Sequence, residues 1–235
     1  MSCTTVDFKS ANSCFVEFLF LRCAIEVEDD SLVASVVFGD DNAVKRLLTY
    51  AKSGVERAEV MIGHCAKRAE DKGMRTTAKA LYEMVGDIMV KRAEDNKVGG
   101  DMSEEPTCWE DYGSFQRNIL NLCDGVGESV AVFARVEETA AATPALFCQE
   151  DLDWFVVEAY NRGVALTYYG DEYNSERLVR ASLNLLPSAS RDVRAYGDEI
   201  RRAYAKVSGS SGGEGVEAEG TVMHRLFRGV TPSAK

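Results

Sequence analysis

The chain has 235 residues, with 27 Lys and Arg against 38 Asp and Glu, a formal net charge of −11. Hydrophobic residues make up 46% and charged residues 28%, the composition of a chain that packs a core and not of a disordered one. The acidic balance disfavours nucleic-acid binding as the main role, no run reaches the roughly eighteen apolar residues of a membrane span, and two histidines leave little for histidine-based catalysis.

Proline is absent before Pro106 and glycine is sparse before Gly99. A β-protein of this size needs many more turn residues, so the chain reads as all-helical. A first helix is expected after Ser10 or Asn12, running to about Val27, with Phe15, Phe18, Leu19, Ala24 and Ile25 apolar on more than one face. Glu28 to Ser31 ends it and caps a short second helix, Leu32 to Phe38. From Asp40 and Asp41 a stripe of Val44, Leu48, Ala51, Val55, Ala58, Ile62, Cys65 and Ala69 recurs every three or four residues, the spacing of one helix face. It ends near Asp71 to Gly73. Met74 to Arg92 follows as its antiparallel partner, with Ala78, Leu81, Met84, Val85 and Ile88 inward.

Glu94 to Pro106 is polar with a Gly99-Gly100 pair and is expected to be a loop. Trp109 to Leu122 and Glu128 to about Ala141 are the next helices, the second stopped by Pro144. Asp151 is placed as the cap of a helix carrying Leu152, Phe155, Val156, Ala159, Tyr160, Val164 and Tyr168 inward. Gly170-Asp171 breaks it, a helix with Leu178, Ala181, Leu183 and Leu185 returns, and Pro187 closes it. Ser188 or Ser190 caps a third helix through Val193, Tyr196, Ile200 and Tyr204. Beyond Val207 the composition becomes Gly/Ser-rich, as in a flexible tail; a short amphipathic piece, Val222 to Phe227, lies within it. The expected organisation is a helical-repeat domain over residues 1–207 and a tail over 208–235.

The seven cysteines have irregular spacing and no CxxC pair, which argues against a disulfide framework and a structural zinc site and for small buried hydrophobes in a reducing compartment. The N-terminus lacks the pattern of a signal peptide. Gly125-x-Gly127 opens like a dinucleotide fingerprint, but Val130 stands at the third glycine position and no strand is expected before it. No phosphate loop, HExxH or GxSxG occurs. His64 and Cys65 are adjacent, but neighbours on a helix point about 100° apart. Asp151 and Asp153 read as helix-start residues before they read as metal ligands. Arg191, Arg194, Arg201, Arg202 and Lys206 form a basic strip, interspersed with Asp192, Asp198 and Glu199 at ion-pair spacing. No catalytic, metal or cofactor site is expected.

What remains is the helical hairpin. With Gly163 as the small residue of a first helix, Gly170-Asp171 falls at the inter-helix turn and Pro187 at the closing position of a tetratricopeptide (TPR) repeat. Ser175 and Ser182 occupy the small positions of the second helix, and Trp154 lies upstream of the usual tryptophan position. The stretch Asp151-Leu-Asp-Trp154-Phe-Val-Val-Glu-Ala-Tyr160-Asn161-Arg-Gly163-Val-Ala-Leu, then Gly170-Asp171 and Leu183-x-Leu185-Leu186, resembles the C-terminal part of the meiotic TPR-like crossover proteins called Zip-four or Spo-twenty-two. Leu21-Arg22-Cys23-Ala24-Ile25 is similar to an earlier helix of that family. Family members are several times longer.

The resemblance implies an antiparallel, TPR-like α-solenoid acting as a protein-protein interaction scaffold on meiotic chromosomes in the nucleus. It implies crossover-promoting and synaptonemal-complex proteins as partners, no membrane and no direct nucleic-acid contact. The aromatic–asparagine pair with which the family holds a partner falls on Tyr160 and Asn161. Read from the residues alone, the same chain is a generic cytoplasmic TPR adaptor or, failing that, a helical ligand-binding or enzymatic bundle.

Overall fold

The computed structural model describes residues 21–26, 28, 58–99 and 112–209, and among these it is all helix and turn with no strand. Chain contacts divide it into two compact units, Met1–Cys123 and Asp124–Lys235. The expected short helix at Leu32 to Phe38, the first half of the long stripe from Val44, Trp109, and the tail with its Val222 to Phe227 piece lie outside the described residues.

In the first unit, helical residues 21–26 bury Leu21, Ala24 and Ile25. Ion pairs bind this segment to the end of the helix Ala58–Asp71: Arg68 on Glu26 at 2.8 Å, and Lys72, just past that helix, on Glu28 at 3.0 Å and on Glu26 at 3.9 Å. Helix α1 (Ala58–Asp71) and helix α2 (Arg75–Gly99) form a hairpin. Helix α3 (Tyr112–Leu122) packs on α2, and Tyr82 meets Phe115 at 5.9 Å between ring centroids. The buried face of α1 is the predicted one, with Ile62, Cys65 and Ala69 inward. Helix α2 runs past Arg92, where a loop was expected, to Gly99. Ala93, Glu94 and Lys97 are good helix formers, and no residue before the Gly99-Gly100 pair breaks the pattern. Gln116 is wholly buried, and neither polar atom of its amide has a hydrogen-bond partner.

In the second unit, helix α4 (Val126–Ala142) starts at Gly125 and leads through a 3-10 turn, Pro144–Leu146, into helix α5 (Gln149–Tyr168). Helix α6 (Glu172–Leu185) returns alongside it. After a second 3-10 turn, Leu186–Ser188, come the single-turn helix α7 (Arg191–Arg194) and helix α8 (Gly197–Gly209). The last stretch was expected as one helix. A two-residue turn at Ala195-Tyr196 separates α7 from α8, and at Gly197 a β-carbon would stand 2.9 Å from Leu186 Cδ2.

Helix α6 is the hub of this unit, packing on α5, α8 and α4. Its closeness to α5 rests on Gly163. A β-carbon there would lie 2.6 Å from Val179 Cγ2 and 3.1 Å from the Val179 nitrogen, far inside van der Waals contact. Both small positions of α6 are buried hydrogen-bond donors across this seam. Ser175 Oγ donates to the Gly163 carbonyl at 2.7 Å and Ser182 Oγ to the Val156 carbonyl at 2.8 Å. The core below is aromatic, with Phe133, Phe147 and Trp154 each edge-on to Phe155, a geometry aromatic rings favour.

The Ser190 backbone N–H donates to Asp153 Oδ1 at 2.7 Å, tying α5 to the start of α7, and Tyr160 donates to Glu199 Oε1 at 3.2 Å, tying α5 to α8.

Candidate functional site: the α5 helix and its tyrosine turn

The N-terminus of α5 is built from residues read beforehand as a cap and as a doubtful metal pair. Cys148, not Asp151, is the cap: its sulfur accepts the Asp151 backbone N–H at 3.4 Å. The buried Asp151 carboxylate takes the Cys148 S–H in return at 3.2 Å. Asp153 accepts Gln149 Nε2 at 3.1 Å and the Ser190 backbone N–H, tying α5 to the start of α7. The two carboxylates thus serve different donors.

Two turns on, Tyr160 and Asn161 diverge as adjacent helix residues must. Tyr160 is 5% exposed, and its hydroxyl meets the Glu199 carboxylate on α8. Burial first, then the Glu199 charge, pushes its phenol up to about 12. The ring is a packing element here, reachable only at its hydroxyl edge, where Glu199 already sits. Asn161 is half-buried on the neighbouring face.

At its C-terminal end, α5 closes with Gly170 in the left-handed region at φ +76°. Gly170 N–H bonds the Thr167 carbonyl at 3.2 Å and Asp171 N–H the Leu166 carbonyl at 3.0 Å, the paired bonds of a Schellman turn. Asp171 then caps α6, accepting the Asn174 N–H and side-chain amide. One helix is ended and the next begun within three residues.

This turn presents three aromatic rings to solvent: Tyr168 is 61% exposed, Tyr169 85% and Tyr173 70%. Tyr168 was placed on the inward stripe with Val164. The structure turns it outward, because the α5 stripe outlasts the cover that α6 supplies. Arg177 lies over the Tyr173 ring, 5.5 Å from its centroid. Among the described residues the rings of Tyr168 and Tyr169 carry no aromatic or cationic neighbour, and the carboxylates of Glu172 and Glu176 form no ion pair. Sequence reasoning missed this cluster, though Tyr-Tyr-Gly-Asp-Glu-Tyr around a glycine turn was its visible signal.

The remaining candidates are accounted for separately. Burial pushes the Cys65 thiol up to about 11, so it stays protonated near neutrality, and His64 points outward from the same helix. Gly125 and Gly127 lie at the start of α4, with open space where a side chain would be. In the basic strip, Asp198 pairs with Arg201 at 2.6 Å and not with Arg194 or Arg202 through their side-chain spacing; Arg202 donates instead to the Asp198 carbonyl. Among the described residues no cluster of three potential metal ligands occurs, and no helix is long and apolar enough to cross a membrane.

No family model, curated protein or solved structure matches the chain.

Proposed function

We propose that this chain is a protein-protein interaction scaffold whose second unit presents the α5–α6 hairpin to a partner. The observation that carries it is the tyrosine turn. Three rings held 61% to 85% exposed within six residues are not needed to close the turn. Tyrosine is the residue type that protein interfaces use most readily as an anchor. The close α5–α6 seam at Gly163, with its two buried serine bonds, gives the rings a rigid base. This supports a TPR-like hairpin, and the likeness of Asp151 to Leu186 to the Zip-four family extends it to a solenoid scaffold on meiotic chromosomes in the nucleus. In that version the partners are crossover-promoting and synaptonemal-complex proteins, and Asn161 with the hydroxyl edge of Tyr160 adds to the surface. The proposal assigns no catalytic residue, metal or cofactor.

The test places a photo-crosslinking amino acid at Tyr169 in the full chain, expressed in its own cells during division and during meiosis. A discrete protein adduct, lost when the crosslinker stands at exposed Arg191 instead, is the expected result. Adducts with crossover or synaptonemal proteins support the meiotic version, and adducts only in vegetative cells overturn it. No adduct at Tyr169 in either state overturns the interaction surface itself.

A further inference from the structure

We infer that the tyrosine turn recognises an arginine-bearing extended segment of a partner protein, taking guanidinium groups on the faces of Tyr168 and Tyr169 and pairing them with Glu172 and Glu176. This rests on the turn being the interaction surface and names the chemistry of its partner.

The first reason lies within the hairpin. Arg177 already places its guanidinium over Tyr173, 5.5 Å from the ring centroid. A tyrosine face attracts a planar cation through its quadrupole, and arginine is used for this more often than lysine. Tyr173 is therefore occupied from within, while the more exposed Tyr169 and its neighbour Tyr168 offer the same face without an occupant among the described residues.

The second reason is charge. Residues 168–176 contain Asp171, Glu172 and Glu176 and no lysine or arginine. Asp171 spends its carboxylate on the Asn174 amide and backbone N–H. Glu172 and Glu176 have no ion-pair partner among the described residues. Within residues 168–176 the rings of Tyr168 and Tyr169 and the carboxylates of Glu172 and Glu176 all lack a cation among the described residues, and a cationic ligand would serve both. An acidic or phosphorylated segment would meet like charge here. The next cations along α6 are Arg177, held on Tyr173, and the exposed Arg180, one turn beyond Glu176 and in no ion pair with it among the described residues.

The test titrates the full chain with three labelled peptides of equal length: one with repeated Arg-Gly pairs, one with Lys in place of Arg, and one with citrulline, which keeps the planar shape and loses the charge. The expected order of affinity is arginine, then lysine, with citrulline undetected. Tyr169→Ala should weaken the arginine peptide about tenfold, as loss of a partly desolvated cation–π contact does, and should narrow the gap between arginine and lysine. Glu172→Gln with Glu176→Gln should weaken both cationic peptides alike and flatten their salt dependence. Equal binding of arginine and citrulline peptides, or no effect of Tyr169→Ala, would overturn the inference. So would a full chain carrying Arg225→Ala and Arg228→Ala that binds the arginine peptide far more tightly, because the chain's own C-terminal segment would then be the occupant. A crosslinked partner at Tyr169 together with no arginine-peptide binding would leave the scaffold standing and this inference refuted.

Discussion

Two hairpins among the described residues close with the same turn and end in different surfaces. In the first, Gly73 sits at φ +76°, with Gly73 N–H on the Glu70 carbonyl and Met74 N–H on the Ala69 carbonyl, both at 2.9 Å. In the second, Gly170 has the same φ and makes the equivalent pair of bonds. Around Gly73 the corresponding positions hold Asp71, Lys72 and Thr76, and Lys72 is drawn into ion pairs with Glu26 and Glu28. Around Gly170 they are Tyr168, Tyr169 and Tyr173. The turn closes without an aromatic residue in one case, so its geometry does not explain tyrosines in the other. The rings are surplus to folding, and that separation between what closes the hairpin and what decorates it makes the second turn a candidate for function.

The comparison extends to the seams. The hairpin of α5 and α6 is pulled together at Gly163, whereas Gly86 in α2 faces Gln116 Nε2 at 3.1 Å from where a β-carbon would stand, an amide with no partner. The sharpest way to break the second hairpin is Gly163→Ala. The new carbon would meet backbone as well as Val179, so the helices must part and the serine bonds stretch. We expect a loss of about 3 kcal/mol, the upper part of the range for overpacked cores, read as a lower urea midpoint of the Trp154 signal in a Trp109→Phe background.

If the turns are equivalent, Gly73→Ala and Gly170→Ala should cost the same, about 1–2 kcal/mol each for an L-residue forced left-handed. Both sites have open space for a methyl group, so only the backbone term is measured. A difference much above that span, by denaturant melts of the two variants, would show that one turn depends on contacts beyond its own bonds. The unpaired amide offers the opposite sign. Gln116→Leu should raise stability by about 1 kcal/mol, because it removes a buried group whose desolvation nothing repays.

Tyr160 tests the α5–α8 contact. Removing its hydroxyl in Tyr160→Phe should cost about 1 kcal/mol, the usual net value of one hydrogen bond. The pH dependence has a definite sign. The fold raises this phenol from its ordinary value of 10 to about 12, favouring the neutral form. Its contribution is whole below pH 10 and is lost as pH rises through 12. Wild-type melting should therefore fall more steeply than that of the Phe variant between these limits. Parallel curves would mean that Tyr160 ionises alike in folded and unfolded chains.

Much of this fold was legible in residue spacing. The α1 stripe, the Gly73 and Gly170 turns, Ser190 as a cap and the role of Gly163 all follow from local chemistry that acts within a few residues. The misses have a common cause in tertiary context. Cys148 caps α5 because a buried Asp151 reciprocates, and composition tables favour oxygen over sulfur. The last helix is interrupted at Ala195-Tyr196, just before Gly197 packs against Leu186, a neighbour eleven positions earlier. Tyr168 has the periodicity of a core residue and is exposed because α6 no longer covers it. The tyrosine turn was therefore hidden inside a correct stripe: a helical period tells which face a residue shares, not where along the helix the cover stops. Tyr160 and Asn161, chosen on likeness to a family, illustrate the converse, since the aromatic of the pair is held in the packing between helices.

The smallest expected effect bears most directly on that distinction. Tyr168→Ser and Tyr169→Ser remove two large rings, which in a core would cost ~3–5 kcal/mol apiece. At 61% and 85% exposure each ring has little packing to lose, and surface changes of this kind stay within about 0.5 kcal/mol. The Gly170 turn bonds involve backbone groups of residues 166, 167, 170 and 171, and neither tyrosine side chain is among them. Urea midpoints of both variants should match wild type within error while binding of the arginine peptide is weakened. A drop of 2 kcal/mol or more would mean that the rings brace the hairpin after all, and the argument that they are surplus to folding would fail with it.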